Sequence, residues 1–294
     1  MSVNKSVTFV ILLISSLLKG QVLKDTVAFE YLKTVQIAPV GAPLDFPAYE
    51  LGVKNGLEFS FDDMAYEWNN YAYKIYHCTK EWEKSDLLIN QYLDGFDGNY
   101  LNDFAISVGT FVPYTHYSLR IPNANARPRI SGNYVLEVYQ NEDPNDLIIR
   151  RRFIIYEDLV MPSVQVLRAA DLTNFSTQQM VNAKVALAGY PVQDFFQDLD
   201  LSILQNRRWD NALNRLKPTF INDGMLEYNF LGEYAFEGGV EFHSFDTKRL
   251  NQVGMGVKVS RLDTCWSVYL EEKKNRSISV YSFQNDINGR RLDR

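Results

Sequence analysis

Three histidines are the side chains best suited to acid–base or metal chemistry at neutral pH: His77, His116 and His243. None of them has the spacing to a second ligand that metal-binding histidines usually show. His77 is followed directly by Cys78, and neighbouring residues on a strand point to opposite faces, so these two cannot share one zinc ion. The pattern therefore favours packing and hydrogen-bond roles for the histidines.

Oxygen ligands are concentrated in one glycine-containing segment, at Asp94, Asp97, Asn99 and Asp103. Such loops can bind calcium, but this spacing does not match the EF-hand pattern, and Asp and Asn are also good turn residues. Carboxylate pairs for glycoside hydrolysis can be chosen freely among 36 acidic residues, so they carry little information. The chain has no Gly-x-Ser-x-Gly elbow and no glycine-rich phosphate loop. We therefore predict a non-enzymatic protein with no catalytic residue, metal or cofactor.

A second cluster of interest is the run Arg207-Arg208-Trp209-Asp210, which directly follows a predicted strand. Tryptophan and arginine are enriched at the hot spots of protein interfaces. One interpretation is a partner-binding site. The other is a tryptophan that packs on its own domain while an arginine pairs with Asp210, and the sequence leaves both open.

Composition limits the classes of function. The chain has 294 residues, of which 46% are hydrophobic, so it has room for two domains with packed cores. Its net charge is -6 and no basic stripe is present, which argues against binding to nucleic acid or to an anionic membrane surface. The abundance of Tyr, Phe, Val and Ile favours strands over helices.

The N-terminal residues 1–21 have the features of a secretory signal peptide. Lys5 supplies the positive charge, residues 7–18 form the apolar region, and Gly20 is a small residue at the cleavage site. The apolar region is shorter than the roughly 20 residues that a membrane-spanning helix needs. We therefore predict an exported, soluble protein without direct membrane insertion. The two cysteines, Cys78 and Cys265, could form a disulfide in an exported protein, but they lie in separate predicted domains, so we expect both to be unpaired.

Alternation of apolar and polar residues predicts the fold. About seven short strands, separated by Gly, Pro, Asn and Asp, occur before residue 157, and this pattern is typical of an immunoglobulin-like or fibronectin-like β-sandwich. Strand patterns resume after a change of composition, which predicts domains at residues 22–157 and 158–294. Hairpins are predicted at residues 222–224 and 262–264, and a last strand at 277–283. The Asn-Gly signal in residues 286–289 predicts a further hairpin whose return strand would lie beyond Arg294, so the second domain is expected to be truncated.

Many separate motifs, in the same order, resemble the plug proteins of the type IX secretion system. The motifs are Phe61-Asp62-Asp63, residues 73–78 with Trp82, residues 92–96, residues 113–117, Pro122-Asn123, residues 131–134, residues 205–212, Leu216-Lys217-Pro218 and residues 286–289. The resemblance implies tandem all-β domains in the periplasm. It also implies a non-enzymatic subunit that binds the outer-membrane translocon barrel and closes its periplasmic mouth.

The resemblance also suggests where a partner would bind. The proposed partner-binding residues are Arg207, Arg208, Trp209 and Asp210, together with Tyr92, Asp94 and Phe96 of the turn at residues 92–97. Val240 and His243 stand where the family more usually has Asn and Arg, so a contact through those two positions is not expected here. The alternative from another class is an exported carbohydrate-binding accessory protein, in which exposed aromatic rings would stack on sugars.

Overall fold

Extended backbone dominates the chain, as its many aromatic and β-branched residues predict. The structure, a computed structural model, describes residues 22–65, 69–140, 143, 145–168, 178–229, 235–237, 257–262 and 265–270. These residues fall into two units, the first ending at Asp158 and the second beginning at Leu159. The prediction of an all-β protein is confirmed. Within the described residues, no helix is long and apolar enough to cross a bilayer.

In the described part of the first unit there are twelve strands and one short helix. In chain order they are β1 (Thr26–Val27), β2 (Leu32–Pro39), β3 (Ala48–Glu50), β4 (Leu57–Asp63), β5 (Tyr71–Cys78), α1 (Ile89–Tyr92), β6 (Leu93–Gly95), β7 (Asn99–Tyr100), β8 (Asp103–Ile106), β9 (Thr115–Ile121), β10 (Ala126–Pro128), β11 (Gly132–Gln140) and β12 (Leu147–Tyr156).

Two sheets, antiparallel except for one parallel pairing, form the sandwich of this unit. One has the order β1-β12-β11-β5-β7, with β3 pairing in parallel with β12, and the other has the order β2-β4-β9-β8. Strands β6 and β10 form a separate two-stranded sheet. The strict alternation of β4, in which every second residue from Leu57 is buried, places one of its faces in the core and the other at the surface.

Aromatic rings fill the core between the sheets. The Phe61 ring stacks on Tyr117 with centroids 5.1 Å apart, and the Tyr71 ring packs edge-on against Tyr117 at 4.9 Å. The buried Asp63 carboxylate accepts hydrogen bonds from the Tyr71 hydroxyl at 2.8 Å and from the Asn69 amide at 2.9 Å. This acid is therefore a satisfied structural group at the end of β4.

Strand β11 differs from the half-buried strand that its alternation predicts, because all residues from Tyr134 to Tyr139 are buried. Its outer face is covered as well as its inner one. On that outer face of the sheet, Lys84 lies 3.4 Å from the centre of the Tyr76 ring, and Arg152 lies 5.2 Å from the centre of the Trp82 ring. The segment after β5 therefore folds back over the sheet, a long-range contact that local periodicity does not encode.

The second unit is also built from strands. They are β13 (Met161–Arg168), β14 (Gln178–Ala186), β15 (Leu201–Ile203), β16 (Leu213–Leu216), β17 (Phe220–Asn222), β18 (Met225–Tyr228), β19 (Ala235–Glu237), β20 (Val257–Leu262) and β21 (Cys265–Leu270). The order of the main sheet is β13-β14-β18-β17, with β19 pairing with β14, and two further pairs are β15 with β16 and β20 with β21. Ala183, Val185, Leu216, Leu226 and Tyr228 are among the residues of its core.

Two of the three hairpins predicted for the second unit, those at residues 222–224 and 262–264, fall among the described strands, and both are present as antiparallel strand pairs. Asp223 and Gly224 connect β17 to β18 with φ angles of 43° and 74°, the left-handed pair that a two-residue hairpin turn requires. Strands β20 and β21 pair in register, with Leu262 opposite Cys265. Several predictions lie outside the described residues: the signal peptide at 1–21, the positions of Val240 and His243, the strand at 277–283 and the hairpin signal at 286–289.

Cys78 is a free cysteine at the end of β5, as predicted, and it is buried. Burial raises the pKa of its thiol to about 12. Because the thiolate is the reactive form of cysteine, a thiol of this kind is unreactive at neutral pH.

We therefore expect Cys78 to resist maleimide labelling in the native protein and to react fully after unfolding in guanidinium chloride. The measurement is intact-mass spectrometry of a Cys265→Ser variant, so that Cys78 is the only thiol present. Rapid stoichiometric labelling of the native variant at pH 7 would contradict the burial of this side chain.

Candidate partner-binding surfaces

Tyr92, the first residue of the predicted binding turn, lies in the core. Its hydroxyl donates a hydrogen bond to the Ile75 carbonyl oxygen at 3.3 Å. Its own carbonyl oxygen accepts hydrogen bonds from the Tyr134 hydroxyl at 3.3 Å and from the Arg129 N–H at 2.9 Å. Burial raises the pKa of Tyr92 to about 12. Tyr92 therefore positions the turn, and its ring is covered by the domain itself.

Phe96 and Asp94 form the surface part of the same turn. The Phe96 side chain is 68% exposed, although its N–H is fixed by a 3.1 Å hydrogen bond to the Asn125 carbonyl oxygen. Asp94 lies 3.5 Å from Arg127, and both side chains are about two-thirds exposed. An exposed ion pair contributes only about 0–1 kcal/mol. Asp94 can therefore exchange its arginine for a charge on a partner at little cost.

The other oxygen ligands of this region point to different partners and do not converge. Asp97 lies 3.7 Å from Lys74, the Asn99 amide donates to the Phe96 carbonyl oxygen at 3.2 Å, and Asp103 accepts a hydrogen bond from Ser118 at 2.8 Å. Within the described residues, no group of three or more His, Cys, Asp or Glu side chains could hold a metal ion.

His77 sits behind the turn and helps to hold it. Its Nδ1 is 3.0 Å from the Ser85 hydroxyl, and its ring contacts the Tyr134 ring at 5.2 Å and the Tyr92 ring at 6.0 Å. Gly132 lies so close that a Cβ there would be 2.4 Å from His77 Nε2. Burial lowers the pKa of His77. The contacts of His77 therefore agree with the packing and hydrogen-bond role predicted for it.

The lowered pKa of His77 predicts acid sensitivity. Well above pH 6.5, the ordinary pKa that applies in the unfolded chain, His77 is neutral in both states, and its protonation does not affect the free energy of unfolding. Below that value the unfolded state binds the proton more readily than the folded state, so the free energy of unfolding falls until the folded pKa is passed.

We expect urea denaturation of the wild type to show this loss between pH 7 and pH 5. A His77→Gln variant should lose part of that pH dependence, even though it is less stable at every pH. An unchanged slope in the variant would assign the acid sensitivity to other groups.

His116 lies on the outer face of the second sheet of the sandwich. Its Nδ1 is 2.6 Å from an oxygen of Asp62, and Asp62 also accepts a hydrogen bond from the Thr34 hydroxyl. This histidine therefore has the hydrogen-bond role that the sequence predicted.

The cluster from Arg207 to Asp210 forms an exposed turn after β15. Arg208 Nε donates to one Asp210 carboxylate oxygen at 3.0 Å, and its Nη2 donates to the other at 2.5 Å. The hydrogen bond from Arg208 lowers the pKa of Asp210. Trp209 is half-buried and Arg207 is exposed. The arginine–aspartate pair of the second interpretation is present, and the two guanidinium groups and part of an indole ring remain at the surface.

A third surface was missed by the sequence reasoning. It is the apolar tip of the β8–β9 hairpin, defined by Phe104, Ile106, Val108, Phe111 and Val112, which are 42%, 56%, 91%, 109% and 55% exposed. The alternation of apolar and polar residues that predicts strands in this region cannot distinguish a core residue from one on a projecting loop. No charged side chain occurs from Phe104 to Thr115, and because this is also typical of a core strand, the sequence gives no signal that the segment is exposed.

Comparison with known proteins identifies the first unit. Residues 32–157 match a family model described as "Type 9 secretion system plug protein 1st domain". A similar solved structure is that of a hypothetical protein from Parabacteroides merdae ATCC 43184, which is 28% identical with a TM-score of 0.80. That similarity covers 91% of this chain and 68% of the other. The comparison with curated proteins gave no match.

Proposed function

We propose a function from the premise that residues 32–157 belong to the type 9 secretion system plug family as its first domain. Membership implies a role related to this secretion system and a location in the cell envelope. Our proposal is that the protein is a non-enzymatic periplasmic subunit. It binds the outer-membrane translocon barrel and closes the periplasmic mouth of that barrel while no substrate passes.

The observation that carries this proposal is the extent of the family match. It runs from the start of β2 to the residue after β12 and so includes nearly the whole sandwich. A channel wide enough for folded proteins would leak small solutes unless a folded body closed it. A sandwich whose core is packed with aromatic rings and whose buried acids are hydrogen-bonded is a rigid body of the required kind.

Two surfaces are proposed as contacts with the barrel complex. In the first unit the contact consists of Phe96 with Asp94, which are exposed, while Tyr92 supports them from the core. In the second unit it consists of the turn from Arg207 to Asp210, where an indole ring lies beside two arginines. Aromatic and arginine side chains are those whose removal most often weakens protein interfaces.

The test is co-purification from the native host. A tagged full-length chain is recovered from a gently solubilised envelope, and the barrel is identified by mass spectrometry. Trp209→Ala and Phe96→Ala should each reduce barrel recovery, whereas the control Phe220→Ala, which removes an equally exposed phenylalanine, should not. Recovery of the barrel that is unaffected by all three changes would support the role and reject both contacts.

A second measurement separates plugging from mere attachment. Cells without the protein should become sensitive to a large antibiotic that normally cannot cross the outer membrane, and expression of the wild-type chain should restore resistance. A glycan array tests the carbohydrate-binding alternative, because strong aromatic-dependent binding to one sugar, without recovery of a barrel, would favour that function.

A further inference from the structure

The apolar tip combines high exposure with a fixed conformation. The Ser107 N–H donates to the Tyr114 carbonyl oxygen at 2.9 Å, and the Tyr114 N–H donates to the Ser107 hydroxyl at 2.8 Å. The Thr110 hydroxyl donates to the Val112 carbonyl oxygen at 2.9 Å. Because these groups already have hydrogen-bond partners within the loop, they keep those bonds when the tip is buried against another surface, and the loop needs little new ordering.

The apolar surface of the tip is continuous with the core. Phe104 and Ile106 occupy alternate positions of β8 and so share one face of the sheet. The Phe104 ring is 5.8 Å from that of Tyr117, which is itself a core residue. Beyond Ile106 the strip continues into Val108 and Phe111, which are almost fully exposed. The tip therefore projects from the domain while its base packs against the core.

Charge argues against a lipid surface as the occupant. The residues next to the uncharged segment are Asp103 and His116, and His116 lies against Asp62, so the base of the tip is acidic on balance. The whole chain has a net charge of -6. Loops that bind anionic membranes combine apolar side chains with lysine or arginine, and this segment contains neither.

Size argues against a second copy of the chain. A stable homodimer needs roughly 800 Å² of buried surface per partner, contributed by about 20–30 residues on each side. Five side chains at the end of a hairpin are far fewer than that. The tip can therefore act only as one anchor within a larger contact, and a single phenylalanine at its end suits a pocket on a larger protein.

We propose that the apolar tip anchors the chain by placing Phe111 in an apolar pocket of the translocon barrel complex, with Val108 and Val112 against the walls of that pocket. The pocket would have a neutral or basic rim to complement Asp103. This inference rests on the proposed function, because that function supplies the partner, but it assigns a contact separate from Phe96 and from the turn at residues 207–210.

The test places a photo-crosslinking phenylalanine analogue at position 111 of the full-length chain in its host. We expect an adduct with the barrel complex, and no such adduct when the analogue replaces Phe220. Phe111→Ser combined with Val108→Ser should lower barrel recovery about tenfold or more, while Phe220→Ser leaves it unchanged. Thermal unfolding of the purified variants checks that they are folded.

The outcomes distinguish this inference from the proposed function. Normal barrel recovery with the double variant, and no adduct at position 111, would overturn the tip contact and leave the proposed function standing. Failure of the wild-type chain to recover any barrel would overturn both. Adducts only between copies of the chain would overturn the choice of occupant. So would Phe111-dependent flotation with vesicles of phosphatidylethanolamine and phosphatidylglycerol.

Discussion

Replacing Gly95 by alanine is expected to lower the free energy of unfolding by about 3–5 kcal/mol. Gly95 has a φ of 147°, a conformation that residues with a side chain rarely adopt. A Cβ at this position would lie 2.0 Å from the Asn125 carbonyl oxygen and 2.6 Å from its carbonyl carbon. Backbone atoms cannot rotate away as a side chain can, and the same oxygen accepts the hydrogen bond from Phe96. The alanine variant must therefore separate β6 from β10.

A matched control for this substitution lies three residues further on. Gly98 has a φ of 132°, but a Cβ there would meet only Lys74 Cε, at an ordinary contact distance of 3.7 Å. Gly98→Ala should therefore show the conformational strain alone, about 1–2 kcal/mol. Urea denaturation of both variants measures the difference. Equal losses of stability would mean that the close approach to Asn125 contributes nothing.

The same geometry connects the fold to the proposed contact. Gly95 immediately precedes Phe96, so a displaced backbone would also displace the exposed ring. Gly95→Ala should weaken recovery of the barrel under conditions in which the variant is still folded, and Gly98→Ala should have less effect.

The elements that sequence reasoning placed correctly are those whose signals are local. Strand β4 alternates strictly between core and surface residues, and that alternation is directly visible in the sequence. The turn at Asp223 and Gly224 was predictable because few residue pairs tolerate two consecutive left-handed conformations. The Arg208–Asp210 pair, two residues apart, was likewise one of the two interpretations of its cluster.

The features that could not be predicted depend on contacts between residues far apart in sequence. Tyr92 and Phe96 belong to one motif, yet Tyr92 is in the core and Phe96 is exposed. Tyr92 is buried because it forms hydrogen bonds with Ile75 and Tyr134, which are distant in sequence, so the motif itself does not predict this difference. The cover over β11 also arises from distant segments, since Asp25 is within 3.5 Å of Arg152. The exposed tip at Phe111 has the residue types of a core strand, and only the surrounding topology leaves it outside.

Glu137→Met is expected to destabilise the protein by about 3–5 kcal/mol, because it breaks a buried ion pair from one side. The carboxylate accepts hydrogen bonds from Arg150 Nε at 2.6 Å and Nη2 at 2.5 Å, and it also accepts one from the Tyr139 hydroxyl. Glu137 and Arg150 are direct cross-strand neighbours on β11 and β12, with side chains 8% and 17% exposed. Without the acid, the guanidinium charge keeps its desolvation cost and loses its nearest counter-charge.

The double variant Glu137→Met/Arg150→Met tests this explanation. If the single change is costly because it leaves the Arg150 charge buried and unpaired, removing that charge as well should restore much of the lost stability. A well-packed apolar pair can replace a buried ion pair. The sum of the two single losses should therefore exceed the loss in the double variant by about 2 kcal/mol.

A double-mutant cycle on the exposed pair Lys184 and Glu227 provides the comparison. The expected coupling there is at most about 1 kcal/mol and decreases in high salt. Simple additivity at Glu137 and Arg150 would show that both contribute through packing of their stems, and that the charge pair between the two central strands is energetically neutral.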